Sequence, residues 1–444
     1  MLQGAGIPVD FLLYAFATLV LFLLYFGLLS ICRDRLDRRT RALAFTLPVL
    51  CNVAWLAAAP SLSIDVLSYI SHGFVRAGLG ENPYLVPSSA VATSPIAADL
   101  AAYGWRPVHP VTPYGPLITQ LETVVAGLPW SVDAMVIAFK VVAMACSLAT
   151  AVLIWVILSQ VRPDRRDLGT AAYLWNPMVV VELAGEGHND AIMVVFVLLA
   201  LALSIRRRAA GGLIAMAAAI LAKYLPALFV PLQAAYLWRT LLDSHRRLAR
   251  QVAVGVAVSA FLAAALFVPY WAGIETFSGI RLTGGVGHTG STPTMMLEVL
   301  SRVATESAMR PVVTAVAACA LVAYVATRAI NVRDEQTLLG AAAGASVAYV
   351  LLASPSYWPW YAVLPVALLA LVPGRRSLIL LVAMSLGSRL AAPLDVLYVS
   401  EAIGRFAYLL LTWLFGIGVP LLALTVPFIE GGRSLYTDRR RRPA

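Results

Sequence analysis

Apolar runs, most of them close to 20 residues long, alternate with short polar connections along almost the whole chain. Runs of this length can cross a bilayer as helices, and they lack the ten-residue alternation of membrane-spanning strands. The pattern therefore predicts an all-α, polytopic membrane bundle with about thirteen transmembrane helices. The predicted spans are roughly 10–32, 42–60, 132–159, 169–184, 189–205, 210–238 (a pair of short helices), 251–270, 309–328, 337–354, 359–373, 378–393 and 403–428.

Composition agrees with a membrane protein. Of 444 residues, 60% are hydrophobic and only 13% are charged, whereas soluble domains carry about 25% charged residues. We predict one transmembrane unit over 1–444, without a soluble domain. Residues 11–31 are long enough to span and follow no basic segment, so we expect an uncleaved first span rather than a signal peptide. The four cysteines fit neither a disulfide framework nor a zinc site.

The net charge is +10, and the placement of the basic residues along the chain predicts the topology. Arginines cluster in short runs between spans, and the positive-inside rule places these runs in the cytoplasm. Nucleic acid is therefore not an expected partner, and the basic tail 429–444 is expected to be cytoplasmic. The long connections 61–131 and 271–308 then face the outside. The scarcity of lysine is typical of GC-rich genomes and favours a bacterial inner membrane protein.

Asp65 is the first candidate for chemistry, because it lies where the second apolar span gives way to the first long outer segment. A carboxylate at a membrane edge is costly unless it is solvated, paired or used. Residues 65–80 can form a short helix along the interface, and Asp65 could simply cap it. Cap and catalyst both remain open from this segment alone.

A second polar group lies in the turn between two apolar spans. Glu182 is inside an apolar run, and acids within membrane segments are by default functional. His188 and Asn189 follow in the turn. Asp190 is either part of the same site or the N-cap of the next helix.

Three further segments are polar or aromatic on the predicted outer face. Lys223 interrupts a hydrophobic hairpin, where a phosphate is a plausible partner for its charge. The glycine-rich stretch from Arg281 to His288 permits close approach to a ligand, although it lacks the Gly-Lys-Ser/Thr of a nucleotide loop. The aromatic cluster 354–361 is suited to an interface belt, a sugar or a polyprenyl chain.

Short motifs in these segments occur together in one order, and the chain resembles the GT-C superfamily of membrane glycosyltransferases that use polyprenyl-phosphate sugars. It is most similar to the actinobacterial polyprenol-phosphomannose-dependent α-mannosyltransferases and the related DUF2029 group. Gly115 replaces the first proline of the usual Tyr-Pro-Pro-Leu pattern, and one extra helix precedes the Asp65 segment. The matching motifs are Asp65-x-x-x-Tyr69, Asn82-Pro83-Tyr84, Tyr114-Gly115-Pro116-Leu117, Asn176-Pro177, Gly187-His188-Asn189-Asp190, Lys223-x-x-Pro226 and Pro359-Trp360-Tyr361.

The resemblance implies an inverting transfer of a hexose, most simply mannose, from a polyprenyl-phosphate donor to a lipid-linked or cell-envelope glycan outside the membrane. Asp65 would be the general base. Lys223, Arg281 and His288 would bind the donor phosphate. The sugar and acceptor would be bound by Tyr69, Asn82, Tyr84, Tyr114, Glu182, His188, Asn189, Asp190, Trp360 and Tyr361.

The scheme requires no cofactor and no metal ion, although Asp65, Glu182 and Asp190 could hold a divalent cation if they converge. Arabinose or glucose transfer from the corresponding donors remains an alternative. A transporter or flippase is a further alternative, but such proteins place their sites near the midplane at the junction of repeats. Here the polar groups crowd one predicted face, and no repeat is visible.

Overall fold

The computed structural model describes residues 9–33, 36–108, 110–240, 245–283 and 286–425. The predicted basic tail, 429–444, lies outside these residues, as does His109. Within the described residues the fold is all-α, with no β-strand and one isolated bridge. The predicted fold class is therefore confirmed.

Twenty-one α-helices form the described part of the chain. In order they are α1 (Val9–Ile31), α2 (Arg38–Trp55), α3 (Asp65–Ala77), α4 (Ala97–Ala102), α5 (Pro116–Ala126), α6 (Val132–Val161), α7 (Arg166–Leu174), α8 (Pro177–Val180), α9 (Asp190–Ile205), α10 (Ala209–Ala222), α11 (Val230–Thr240), α12 (His245–Phe267), α13 (Ser278–Thr283), α14 (Thr292–Leu300), α15 (Glu306–Ile330), α16 (Glu335–Ala348), α17 (Val363–Ala370), α18 (Arg375–Ala391), α19 (Leu394–Val399), α20 (Arg405–Trp413) and α21 (Val419–Thr425). Short 3-10 or π turns extend several of them, at Ser88–Thr93, Val181–Gly185, Leu225–Phe229, Val268–Tyr270, Glu275–Phe277, Tyr349–Ala353, Pro359–Ala362 and Leu414–Gly418.

Among the described residues, seven helices are long and apolar enough to cross a membrane, or eight if one bent pair counts as a span. The predicted count of about thirteen is thus not confirmed. The difference arises because several apolar runs fold as shorter helices. Ala209–Ala222 and Pro359–Ala370 fall in the 10–17 residue range, below the roughly 20 residues that a straight crossing needs.

Exposure separates the peripheral helices from the central ones. Only 6% of the apolar window of α12 is buried, against 67% for the helix that begins at Arg375. Large apolar side chains on the peripheral helices are open, and Leu23 and Phe261 are 72% and 75% exposed. Continuous apolar surface of this kind is stable against lipid and not against water. The chain is a multi-pass membrane protein.

The first predicted outer segment folds as α3, α4 and α5 packed together. Gly73 on α3 lies so close to α5 that an added Cβ would be 2.1 Å from the carbonyl oxygen of Glu122. Gly115 is equally tight, because its Cβ would be 2.1 Å from the carbonyl oxygen of Leu221 at the end of α10. Its N–H donates to the carbonyl of Ala222 at 3.0 Å. The departure from the proline motif therefore lets α5 begin directly against α10.

A sharp break separates α8 from α9. Residues Pro177–Gly185 are bent by 118° relative to Asp190–Ile205. Asn176 starts the first of these segments, since its Oδ1 accepts from the N–H of Met178 at 3.0 Å and Pro177 occupies the first helical position. Gly187, with φ of 77°, permits the turn. The predicted polar turn is thus a break in the middle of the bundle.

Glu122 on α5 is a buried acid. It has no exposed surface, and within the described part of the chain neither carboxyl oxygen is hydrogen-bonded. Burial first, and then the charge of Asp65, raises the pKa of Glu122 well above its usual value. A raised folded-state pKa contributes stability below the unfolded pKa of about 4.3, and that contribution is lost as the pH rises.

Glu122→Gln is therefore expected to raise the apparent melting temperature at pH 8 and to change it much less at pH 5. Scanning fluorimetry of the purified protein in detergent measures both values. Glu81→Gln, at an exposed position of the same segment, is the matched control and should leave both values unchanged. An equal shift of Glu122→Gln at the two pH values would contradict the burial of a neutral carboxyl.

Candidate functional site

A cavity of about 870 Å³ brings together residues from distant parts of the chain. Its size is within the range of ligand pockets, roughly 300–1,000 Å³. Seven of the residues singled out in the sequence line it, namely Asp65, Tyr114, Asp190, Lys223, His288, Trp360 and Tyr361.

Asp65 is the first residue of α3, and its side chain is 15% exposed to this cavity. It does not cap the helix: Ile64 is the N-cap and no side chain caps that end. The hydroxyls of Tyr69 and Tyr114 instead donate to its Oδ2, each at 3.5 Å. Of the two interpretations left open by the sequence, the cap is therefore excluded.

The loop before Asp65 is held by a buried acid from the helix break. The carboxylate of Glu186 accepts from the backbone N–H groups of Ser61, Leu62 and Ser63 at 3.1 to 3.3 Å. Three backbone donors on one carboxylate fix both the path and the orientation of the loop. The break thus positions Asp65 through the backbone that precedes it.

Lys140, buried within α6, holds the preceding end of α2. Its Nζ donates to the carbonyls of Trp55 at 2.9 Å and Leu56 at 3.2 Å, and also to that of Ala58. These carbonyls lie at and just after the end of α2, where a helix leaves its last carbonyls without intrahelical partners. Glu186 and Lys140 together therefore fix the backbone between the end of α2 and Asp65.

Glu182 and His188 form a buried chain behind Asp65. One Glu182 oxygen is 3.1 Å from His188 Nδ1, and the other is paired with Arg389 of α18. Arg389 also donates to the Tyr14 hydroxyl at 2.6 Å. The remaining ring nitrogen, His188 Nε2, is 4.0 Å from Asp65 Oδ2. Glu182 therefore orients the imidazole whose free edge faces the candidate base.

Lys223 and Asp190 form an ion pair on the cavity wall, with 2.6 Å between Nζ and Oδ2. Asp190 is the first residue of α9, and its side chain does not cap the helix. The ammonium of Lys223 lies 5.3 Å from the centre of the Tyr114 ring. Because Tyr114 also donates to Asp65, one aromatic side chain contacts both the candidate base and the lysine.

Aromatic rings cover the other side of the imidazole. Trp360 stacks on His188 with ring centroids 4.1 Å apart and an interplanar angle of 20°. Trp358 stacks in turn on Trp360 at 5.2 Å and 10°. Both tryptophans line the cavity, so the aromatic cluster predicted from the sequence forms part of its wall.

The other predicted site residues do not line the cavity: Tyr69, Asn82, Tyr84, Glu182, His188, Asn189 and Arg281. Arg281 is exposed and pairs with Glu275 at 3.2 Å, although its neighbours Ile280 and Leu282 reach the cavity.

Asn82 and Tyr84 are structural in their contacts. Asn82 donates to the carbonyl of Tyr270 at 2.8 Å, and Tyr84 donates to the carbonyl of Tyr114 at 2.9 Å. Tyr84 therefore supports the loop that carries Tyr114, whereas Asn82 joins the first outer segment to the segment after α12.

The sequence interpretation overlooked several residues. Lys140 was recognisable as a single charge inside an apolar run. The others gave no clear indication, since their partners are remote in sequence or their segments lie at span ends. The residues added by the structure are Arg106, Lys140, Glu186, Arg389, Asp395, Tyr398 and Tyr408.

No group of three or more His, Cys, Asp or Glu side chains able to hold a metal ion occurs in the ranges that the structure describes. Of the three acids considered for such a site, Glu182 pairs with Arg389 and Asp190 with Lys223. Each of these two carboxylates thus has a cationic side chain as its neighbour.

Comparison with known proteins gives a consistent result. The curated alpha-(1->6)-mannopyranosyltransferase A of Corynebacterium glutamicum is 29% identical over 184 residues, which cover 40% of this chain and 36% of that protein. The protein of the same name from Mycobacterium tuberculosis is 29% identical over 252 residues, covering 52% of this chain and 44% of the relative. The matched part thus spans less than half the length of either relative. The family model described as alpha-(1->6)-mannopyranosyltransferase, N-terminal domain, matches residues 3–239, more than half of the chain. The chain belongs to this family, and with it to the GT-C type enzymes that its motifs resemble.

Proposed function

We propose that the protein is an inverting mannosyltransferase that moves mannose from a polyprenyl-phosphate donor to a lipid-linked or cell-envelope glycan, forming an α-mannoside. The observation that carries this proposal is the shared cavity of Asp65 and Lys223, a carboxylate and an ammonium bridged by Tyr114. The names of the relatives support mannose as the sugar.

The reaction is a single displacement at the anomeric carbon. The acceptor hydroxyl attacks while the bond from that carbon to the phosphate oxygen breaks, and Asp65 takes the hydroxyl proton. A β-linked donor then gives an α-linked product. Within the described residues Asp65 Oδ1 has no hydrogen-bond donor, whereas Oδ2 has two. The free oxygen is available to the acceptor.

Neighbouring groups keep this carboxylate in position. Burial, and then the Asp65 charge, hold the pKa of the Tyr69 and Tyr114 hydroxyls well above the usual value, so both stay protonated and can donate. Glu186 fixes the preceding loop, and His188 limits movement on the buried side. A base held in this way loses little entropy when the acceptor binds.

The leaving phosphate requires positive charge. Lys223 and His288 line the cavity and are suited to it. Lys223 would share its charge between Asp190 and the phosphate. Arg281 could contribute only by leaving its exposed pair with Glu275. The scheme needs no metal ion or other cofactor.

The arginine distribution supports an active site on the extracytoplasmic side, because many of the cavity residues come from the long connections 61–131 and 271–308, which lack the arginine clusters of the other connections. The apolar surfaces between helices would accommodate the polyprenyl tail. On this proposal the protein acts in the bacterial inner membrane with its carboxyl terminus in the cytoplasm.

An assay of the purified protein against a panel of polyprenyl-phosphate sugars tests the proposal. Radiolabelled mannosyl, glucosyl and arabinosyl donors are each supplied with an octyl α-mannoside acceptor, with and without EDTA. We expect transfer from the mannosyl donor, unaffected by EDTA, and an α-anomeric signal in the NMR spectrum of the product. Preferred use of another donor would contradict the sugar, and absence of transfer from all three would contradict the activity.

A further inference from the structure

The cavity wall formed by α19 and α20 carries a second polar and aromatic group that the proposed reaction does not use. Asp395, Tyr398 and Tyr408 all line the cavity there. The Tyr408 hydroxyl donates to Asp395 Oδ1 at 3.3 Å. The rings of Tyr398 and Tyr408 stack almost parallel, with centroids 4.7 Å apart and an angle of 8°.

This arrangement has the chemistry of a sugar-binding surface. Tyr408 is 3% exposed and supports the group from behind, whereas Tyr398 is 37% exposed and presents an aromatic surface. Among the described residues nothing hydrogen-bonds Asp395 Oδ2, which can accept from a hydroxyl. A pyranose can place its apolar C–H face on the ring of Tyr398 and donate from a hydroxyl to Asp395 Oδ2.

The charge of this wall favours a neutral ligand over an anionic one. Arg106 lines the same cavity as Asp395. The two residues are of opposite charge type, so cations are not in excess on this wall as they would be in an anion-binding site. A neutral hexose fits such a wall better than a second phosphate.

Asp65 connects this wall with the donor end of the cavity. It lines the same cavity as Asp395, and Tyr114 links it to Lys223. In an inverting displacement the attacking hydroxyl approaches from the side opposite the leaving group. With the phosphate at Lys223, the acceptor sugar must therefore lie on the other side of the reacting carbon.

We infer that Asp395, Tyr398 and Tyr408, with Arg106, form a subsite for a hexose of the acceptor glycan, next to the sugar that bears the attacking hydroxyl. This inference rests on the proposed function. Three of these residues lie beyond residues 3–239, the part matched by the family model. The preference for acceptor length would then depend mainly on residues after 239, whereas the candidate base and the lysine lie within residues 3–239.

Kinetics with octyl α-mannoside, α-dimannoside and α-trimannoside as acceptors test the subsite. Tyr398→Ala and Asp395→Asn are each expected to raise KM for the dimannoside and trimannoside about tenfold, as the loss of one contact would. KM for the donor and kcat/KM for the monosaccharide acceptor should change less than twofold. Equal losses for all three acceptors would overturn the subsite.

Two control variants sharpen this comparison. Phe406→Ala removes an exposed aromatic from the same helix α20 without touching the cavity, and it should behave as wild type. Lys223→Met, at the other end of the cavity, should raise KM for the donor and leave the preference for longer acceptors intact.

A binding measurement separates failure of the subsite from failure of the proposed function. Quenching of tryptophan fluorescence by the octyl dimannoside requires no donor, and Trp358 and Trp360 line the cavity. If no polyprenyl-phosphate sugar is used but Tyr398→Ala still weakens dimannoside binding about tenfold, the subsite stands without the donor. If wild type does not bind the dimannoside, or binds it no better than Tyr398→Ala, the subsite is refuted.

Discussion

Asp65→Asn is expected to lower kcat for mannosyl transfer about 1,000-fold, which is within the range that general-base catalysis contributes. The amide is nearly isosteric, but it cannot accept the proton of the attacking hydroxyl. Replacing the carboxylate should affect stability little, since its two hydrogen bonds from tyrosine hydroxyls are both long, at 3.5 Å. Single-turnover assays with the mannosyl donor measure the change.

Asp99→Asn is the matched control for this substitution. Asp99 is an exposed acid on α4, in the same predicted outer segment, and does not line the cavity. Its variant should retain full turnover. Size-exclusion chromatography and melting curves in detergent check that both variants are folded. If Asp65→Asn keeps more than a tenth of wild-type turnover, Asp65 is not the base.

Arg389→Met is expected to have the largest effect on stability. Arg389 and Glu182 are 3% and 2% exposed and paired with each other. Removing the guanidinium leaves a buried carboxylate without its cation, which costs about 3–5 kcal/mol of folding free energy. His188 should keep its position, because its Nδ1 is also 3.0 Å from the backbone carbonyl oxygen of Glu182.

A double-mutant cycle tests whether the pair itself is responsible. Glu182→Gln together with Arg389→Met leaves no uncompensated buried charge, so the double variant should melt above Arg389→Met alone. Arg281→Met breaks an exposed pair with Glu275 and should cost less than about 1 kcal/mol. Equal melting temperatures for Arg389→Met and Arg281→Met would show that the buried pair contributes no more than a surface one.

The cost of placing charge in an apolar chain made part of the site predictable. Asp65, Asp190 and Lys223 interrupt or border hydrophobic runs, and all three line the cavity. The same reasoning applied to Lys140 would have identified the residue that holds α2. The helical fold followed from the length of the apolar runs, because only helices satisfy their own backbone in lipid.

Partnerships between distant segments were not predictable. Glu182 and Arg389 are separated by 207 positions, so no local spacing links them. Nothing in the sequence indicated that the carboxylate of Glu182, predicted to bind the sugar or acceptor, would be paired with an arginine. The helix count was not confirmed, because hydropathy measures how apolar a run is and not how long its helix is, and α10 and α17 are apolar but short.

The break between α8 and α9 has an evolutionary consequence. Within five consecutive residues it provides the anchor of the base loop (Glu186), the neighbour of the base (His188) and the partner of the lysine (Asp190). A substitution there would disturb several functions at once, whereas α19 and α20 contribute none of these contacts. New glycan preferences could therefore arise by changes in the second region while the chemistry of the first is preserved.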